Sequence, residues 1–178
     1  MLKPDGMPQS PRLRFRLPEL SDAAFYQSLM SDPDYIRFIA DRGITSIEAA
    51  RAYIDEKVLP DFEENEGVGL WIIAEKDSDD PVGLCGLVVR DGLDMPDLGY
   101  AFHKDHRGKG YAQEAAKAII AFARSELGLS QLCAITHPEN ARSSALLMKI
   151  GFQPNGQKSL PKIEGIADYF VADLQSLS

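Results

Sequence analysis

One stretch of this chain restricts its fold more than any other. It runs Asp97-Leu98-Gly99-Tyr100-Ala101-Phe102-His103-Lys104-Asp105-His106-Arg107-Gly108-Lys109-Gly110-Tyr111-Ala112. Leu98 to His103 reads as a strand, and Arg107 to Gly110 as a short loop with two glycines. From Tyr111 to Leu127, Ala112, Ala115, Ile119, Phe122 and Ala123 recur at three- and four-residue spacing, which predicts a helix. Gly128 stops it. A strand that turns through glycines into a helix presents successive backbone N–H groups to an anion, and the helix dipole adds partial positive charge there. Gly108, Gly110 and Ala112 are small enough for the backbone to approach a pyrophosphate closely. Arg107 and Lys109 flank the loop with positive charge in a chain of formal net charge −8. A P-loop would need GxxxxGK[ST] and a dinucleotide fingerprint GxGxxG, and neither occurs. Taken alone, the loop also fits a glycine turn that merely starts a helix.

The flanking segments follow the same logic. Met1 to Ser10 reads as a loose leader. Arg12 to Leu17 alternates, with Leu13, Phe15 and Leu17 on one face, as a strand does. Pro18 ends it, Ser21-Asp22 caps a helix to about Met30, and Ser31-Asp32-Pro33 reads as a break. A second helix starts near Thr45-Ser46 and runs to about Glu64, with Pro60 expected to kink or end it. Gly67 to Glu75 and Val82 to Arg90 are strands, separated by the turn Asp77 to Pro81 and followed by the turn signal Asp91-Gly92. Gln131 to His137 is a strand, and Asn140 to Ile150 a helix ended by Gly151. Phe152 to Leu160 and Gly165 to Leu174 close the chain as strands. With no repeat and no linker, residues 1–178 read as one domain of mixed α/β (α+β) class: about six to seven strands and about four helices.

Charge and composition narrow the chemistry. An acidic chain lacks the Lys/Arg clusters that nucleic acid requires, and no apolar run approaches the roughly 20 residues that span a bilayer. The expected compartment is the cytoplasm, with neither nucleic acid nor membrane as partner. His103, His106 and His137 show no metal-ligand spacing, so no metal is expected. Cys85 and Cys133 sit in apolar stretches as small core residues.

Arg107-Gly108-Lys109-Gly110-Tyr111-Ala112 resembles the acetyl-CoA signature [QR]-x-x-G-x-[GA] of the GNAT superfamily of N-acetyltransferases. It also resembles the W-G-K-G-Y-A form of the RimJ/RimL-type branch, which acetylates protein N-terminal amines; here Arg107 stands in place of Trp. Asn140-Ala141-Arg142-Ser143 followed by Lys149-Ile150-Gly151-Phe152 is similar to the family's N-x-x-S…K-[LI]-G-F element. Arg12-Leu13-Arg14-Phe15-Arg16 is similar to the branch's first strand. The resemblance covers roughly residues 12 to 174.

That resemblance implies a mostly antiparallel sheet whose central strands splay apart, with acetyl-CoA as cosubstrate and a primary amine as acceptor. Backbone around Tyr100, Ala101 and Phe102 would bind pantetheine, with an N–H near Ala101 for the thioester carbonyl. The N–H groups of Arg107, Gly108, Lys109, Gly110, Tyr111 and Ala112 would hold the pyrophosphate, and Asn140 would bond the pantetheine region. Asp97, at the start of the splayed strand, is the candidate general base; alternation sets it on the face of Gly99 and Ala101, opposite Leu98, Tyr100 and Phe102. Ser143 is the candidate proton donor to the leaving thiolate, because Leu147 occupies the position where many family members carry tyrosine. Ser143 also fits a helix-capping role beside Asn140, and Asp97 also fits a turn residue facing water.

In the family the first helices wall the acceptor cleft. The acids Glu48, Asp55, Glu56, Asp61, Glu63, Glu64 and Glu66 would there attract a cationic acceptor, or else form a solvated face. The acceptor is expected to be a protein or peptide N-terminal amine, with a small cationic amine such as a polyamine, amino acid or antibiotic as the alternative. A module that binds CoA without turnover is the third reading. Dimers are common in the branch.

Overall fold

The computed structural model describes residues 6–177. Its strands are β1 (Leu13–Arg16), β2 (Leu70–Glu75), β3 (Pro81–Val88), β4 (Asp97–Phe102), β5 (Gln131–Thr136), β6 (Gln153–Lys158) and β7 (Ala167–Asp173). They form one sheet in the order β1-β2-β3-β4-β5-β7-β6. All neighbours run antiparallel except β4 and β5, which are parallel. The expected mixed, mostly antiparallel sheet of about six to seven strands is therefore present, with seven.

The helices are α1 (Ala23–Met30), α2 (Pro33–Phe38), α3 (Ile47–Tyr53), α4 (Leu59–Glu64), α5 (Tyr111–Ser125) and α6 (Ala141–Lys149). Two expectations are corrected here. The segment after Ser31 is not a break but the short α2: Pro33 opens it, and the Asp32 carboxylate accepts the Asp34 N–H at 3.0 Å as N-cap. Pro60 does not end the next helix either. A π-helical turn, Ile54–Val58, joins α3 to α4, so the chain stays helical from Ile47 to Glu64. Proline removes one i→i−4 donor, and a wider turn just before it takes up that mismatch.

The leader is also tighter than its composition suggests. Met1 to Asp5 lie outside the described residues, but Gln9 bridges to Arg14 and Ser10 is buried. The Ser10 hydroxyl meets the Glu114 carboxylate on α5.

Two apolar cores lie on opposite faces of the sheet. On one face Leu13, Phe15, Trp71, Leu98 and Phe102 pack with Ile119 and Phe122 of α5. On the other, Ile72, Leu84 and Ala101 pack with Tyr26, Leu29, Ala50 and Ile54 of the first helices. Trp71 is enclosed by Phe15, Phe62 and Phe122, so it is core packing. Both cysteines are buried free thiols. Partition of one strand between two cores follows from the two-residue period: Leu98 and Phe102 face α5, Ala101 faces α1 and α3.

Candidate active site

β4 and β5 share a single ladder pair, Asp97 with Cys133, whereas β3 and β4 pair along their full length from Gly83/Phe102 to Val88/Asp97. Beyond that pair the two parallel strands diverge and leave a V-shaped gap. Hydrogen-bond alternation shows which groups face it. The His103 N–H donates to Val82 O at 2.9 Å, so in the antiparallel ladder Ala101, Gly99 and Asp97 also turn their N–H groups to β3. Those of Leu98, Tyr100 and Phe102 turn the other way. Leu98 is taken up at the apex by the Asp97/Cys133 pair, where the Cys133 N–H donates to Pro96 O at 3.0 Å. Tyr100 and Phe102 are left as the β4 donors that face the gap. The donor expected near Ala101 is therefore displaced by one residue to either side, because Ala101 is committed to β3.

At the mouth of the V stands the glycine loop. After the 3-10 turn Lys104–His106, Arg107 is extended, Gly108 has φ 80° and Gly110 has φ 78° as the N-cap of α5. Left-handed values are open to glycine at little cost, and alternating hands turn neighbouring N–H groups toward one point. Among the described residues, no atom beyond its chain neighbours lies within 4 Å of where a Gly108 Cβ would stand, so the loop is open there. Small residues, first-turn N–H groups that the helix itself does not use, and open space together suit a diphosphate.

Side chains around the loop do not contribute as their charges suggest. The Arg107 guanidinium donates to Asp34 at 2.8 Å, to Asp32 at 3.1 Å and to the Phe102 carbonyl at 3.2 Å. Its charge ties the loop to α2 and is offset by two carboxylates. Lys109 Nζ stands 5.9 Å from the Tyr111 ring centroid and 3.4 Å from His106 Nδ1. Glu114, an acid in the first turn of α5, is drawn off to Ser10 and the Arg12 guanidinium, 2.6 Å away. The dipole end of α5 is thus relieved of a carboxylate that would repel an anion.

Across the gap, the Asn140 side chain caps α6 by accepting the Ser143 N–H at 3.2 Å. Capping therefore falls to Asn140 and not to Ser143. The Ser143 hydroxyl lies 2.9 Å from the Tyr100 hydroxyl, which is also 3.2 Å from the Ser143 carbonyl. Burial pushes the Tyr100 phenol up to about 12, so it stays protonated and able to donate. Leu147 is buried in the core below.

Asp97 sits at the apex, 1% exposed. It does not face water. Its Oδ2 accepts from Arg90 Nε at 2.6 Å, while Oδ1 is buried and makes no hydrogen bond among the described residues. Burial pushes its carboxyl up to about 6; the Arg90 charge and hydrogen bond, and more weakly the Ile135 N–H, hold it from rising further. Arg90 escaped the sequence reading. The Asp91-Gly92 turn signal and strand alternation contained the clue, since the hairpin places Arg90 beside the strand start seven residues on.

The seven acids between Ser46 and Glu66 are all exposed. Among the described residues no helix is long and apolar enough to cross a membrane.

Comparison with known proteins follows the same lines. Residues 12–153 match the family model described as Acetyltransferase (GNAT) domain. The chain is 30% identical over 146 residues to the uncharacterized N-acetyltransferase p20 of Bacillus licheniformis, covering 82% of this chain and 81% of that protein. A GNAT-family acetyltransferase from Bacillus anthracis superposes with TM-score 0.77 at 24% identity, over 94% of this chain and 98% of its own. RimL, a ribosomal alpha-N-protein acetyltransferase solved in complex with coenzyme A, superposes with TM-score 0.74 at 14% identity, over 92% and 95%.

Proposed function

The chain belongs to the GNAT acetyltransferase family, and on that premise we propose that it moves an acetyl group from acetyl-CoA to a primary amine by direct attack in a ternary complex. The acceptor we propose is a protein or peptide N-terminal amine, as in the RimJ/RimL-type branch. One observation carries this reading: a gap between two parallel strands that pair once, with main-chain donors along one wall and a glycine-capped helix N-terminus at its mouth. The two cores share a single sheet, which supports treating residues 1–178 as one catalytic domain.

Acetyl-CoA supplies an activated thioester. The N–H groups of Arg107 to Ala112 are the donors for its diphosphate, and Asn140 lies beside the gap on the α6 side. Tyr100 and Phe102 offer N–H groups to carbonyls lying in the gap, Ala101 lines it from β4, and Tyr100 is the donor nearest the apex. Asp97 is the base. A carboxyl raised to about 6 is ionised at neutral pH yet holds a proton better than an ordinary carboxylate, which suits removal of a proton from an ammonium. Ser143 stands on the opposite wall as the proton donor to the departing sulfur.

The test is release of free thiol from acetyl-CoA against basic N-terminal peptides, polyamines, amino acids and aminoglycosides. Turnover on the peptides alone supports the proposed acceptor. Turnover on a small amine alone replaces it. Tight binding of coenzyme A without turnover on any of them leaves a CoA-binding module in place of an enzyme of this specificity.

A further inference from the structure

We propose that Arg90 is the positioning residue of this site: it occupies one oxygen of Asp97 and so fixes the orientation of the other at the apex of the V. It rests on Asp97 being the base.

Geometry comes first. The Arg90–Asp97 contact is 2.6 Å, with the guanidinium about one-third exposed and the carboxylate 2% exposed. With Cβ held by the strand, pinning Oδ2 fixes the side-chain torsion of Asp97, and the planar carboxylate then carries Oδ1 to a set position. Oδ2 is thereby used, and among the described residues Oδ1 is left buried with no close hydrogen bond, the Ile135 N–H acting on the carboxylate only weakly. An unsatisfied buried carboxylate oxygen is costly, and a donor arriving from an acceptor amine would relieve it. The oxygen that costs the resting protein is then the one that takes the proton.

The surroundings isolate this pair. From β5, Cys133 faces Asp97, with its thiol pushed up to about 12 by burial and by Asp97 itself. From β7, Tyr169 faces it, its phenol raised by burial and by Cys133. From β4 itself comes Tyr100, on the opposite face of the strand. The Asp94 carboxylate, on the turn before β4, adds negative charge near Tyr169. All three titratable neighbours on the strands are neutral near pH 7. Among the described residues Arg90 is therefore the one cation that favours the ionised carboxylate. Without it, burial acts unopposed except for the weaker Ile135 N–H.

The experiment measures kcat/KM against pH for the full-length protein, its Arg90→Met and Arg90→Lys variants, and Asp97→Asn. One acceptor and one acetyl-CoA concentration series serve all four, so the amine's own ionisation is common to them. Arg90→Met should move the midpoint of the acidic limb upward by about one pH unit or more, so that activity near pH 5 falls about tenfold while activity near pH 9 falls far less. Arg90→Lys, which keeps charge but not the fork, should lie between. If Arg90→Met lowers the rate equally at every pH and leaves the midpoint in place, Arg90 is only structural and the proposal fails. If Asp97→Asn keeps the wild-type acidic limb, the assignment of the base fails first, which is a distinguishable result. Should Arg90→Met not fold, carboxyl NMR of labelled aspartate in the Arg90→Lys variant decides: an unmoved Asp97 titration overturns the proposal.

Discussion

The mouth of the V and its apex are built in opposite ways. At the mouth, six consecutive residues, Arg107 to Ala112, form the proposed binding surface from their main chain, and the Arg107 charge is turned to Asp32 and Asp34. At the apex, side chains from four separate places meet: Asp97 from β4, Arg90 from the preceding turn, Cys133 from β5 and Tyr169 from β7. A main-chain site survives many side-chain changes but depends on backbone angles. A side-chain site depends on the identity and protonation of single groups.

The first way to break this contrast is Asp97→Asn. Turnover at neutral pH should fall by about 10²–10⁴, the usual worth of a general base. Coenzyme A affinity by calorimetry should hold, because the mouth is untouched; loss of both together would mean that the two regions are not separable.

Gly110→Val is the mirror experiment. A β-branched residue at φ 78°, with its Cβ about to meet the Arg12 guanidinium at 3.4 Å, is strained by about 1–3 kcal/mol. Coenzyme A affinity should fall ten- to a hundredfold or so, while kcat at saturation changes much less. Were kcat to collapse instead, the loop would be doing more than binding.

A smaller effect separates stability from activity at the apex. The Asp97 carboxyl is raised from 3.8 to about 6 in the folded protein, so the native state holds more protons than the unfolded one between those values. Stability must then fall as pH rises from about 4 to about 6, at up to about 1.4 kcal/mol per pH unit, and level off above. The Asp97→Asn variant lacks this loss, and Arg90 can turn to water. Thermal melts at pH 4 and pH 7.5 should show the variant gaining on wild type at the higher pH. A variant that instead loses ground there would show that the Arg90 pairing outweighs the burial of the charge.

Ser143→Ala should produce the smallest change, a rate loss of about tenfold or less, since a thiolate leaves well unaided. The Tyr100 hydroxyl, 2.9 Å from Ser143, remains to donate in its place. A Tyr100→Phe, Ser143→Ala double variant that turns over as fast as wild type would show that neither hydroxyl serves the sulfur.

The same contrast governs what could be read in advance. The Arg107–Ala112 loop, its helix and the alternation that puts Asp97 on the face of Ala101 were legible because each is local or periodic. Element order was legible for the same reason. Arg90 was not, because its role needs hairpin register as well as proximity along the chain. Sequence points to Tyr100 for its backbone alone; the contact of its hydroxyl with Ser143 depends on the placement of α6. Arg107 misled by charge: its sign was plain, but Asp32 and Asp34 lie more than 70 residues away in sequence. The helix at Pro33 was missed although Asp32 followed by proline is a start signal, because the segment is too short to show a period. The π turn before Pro60 left no pattern that sequence spacing could register.

The lone β4–β5 pair has a mechanical consequence. Four strands lie on one side of it and three on the other, and within each group every neighbouring pair is laddered over at least four residue pairs. Across that seam the load falls on the few bonds around Asp97 and Cys133. A molecule lying in the gap and bonded to both walls acts there as a rivet. The sheet of the loaded protein should therefore resist pulling between β1 and β6 at a higher force than the empty one, with the tear beginning at the apex.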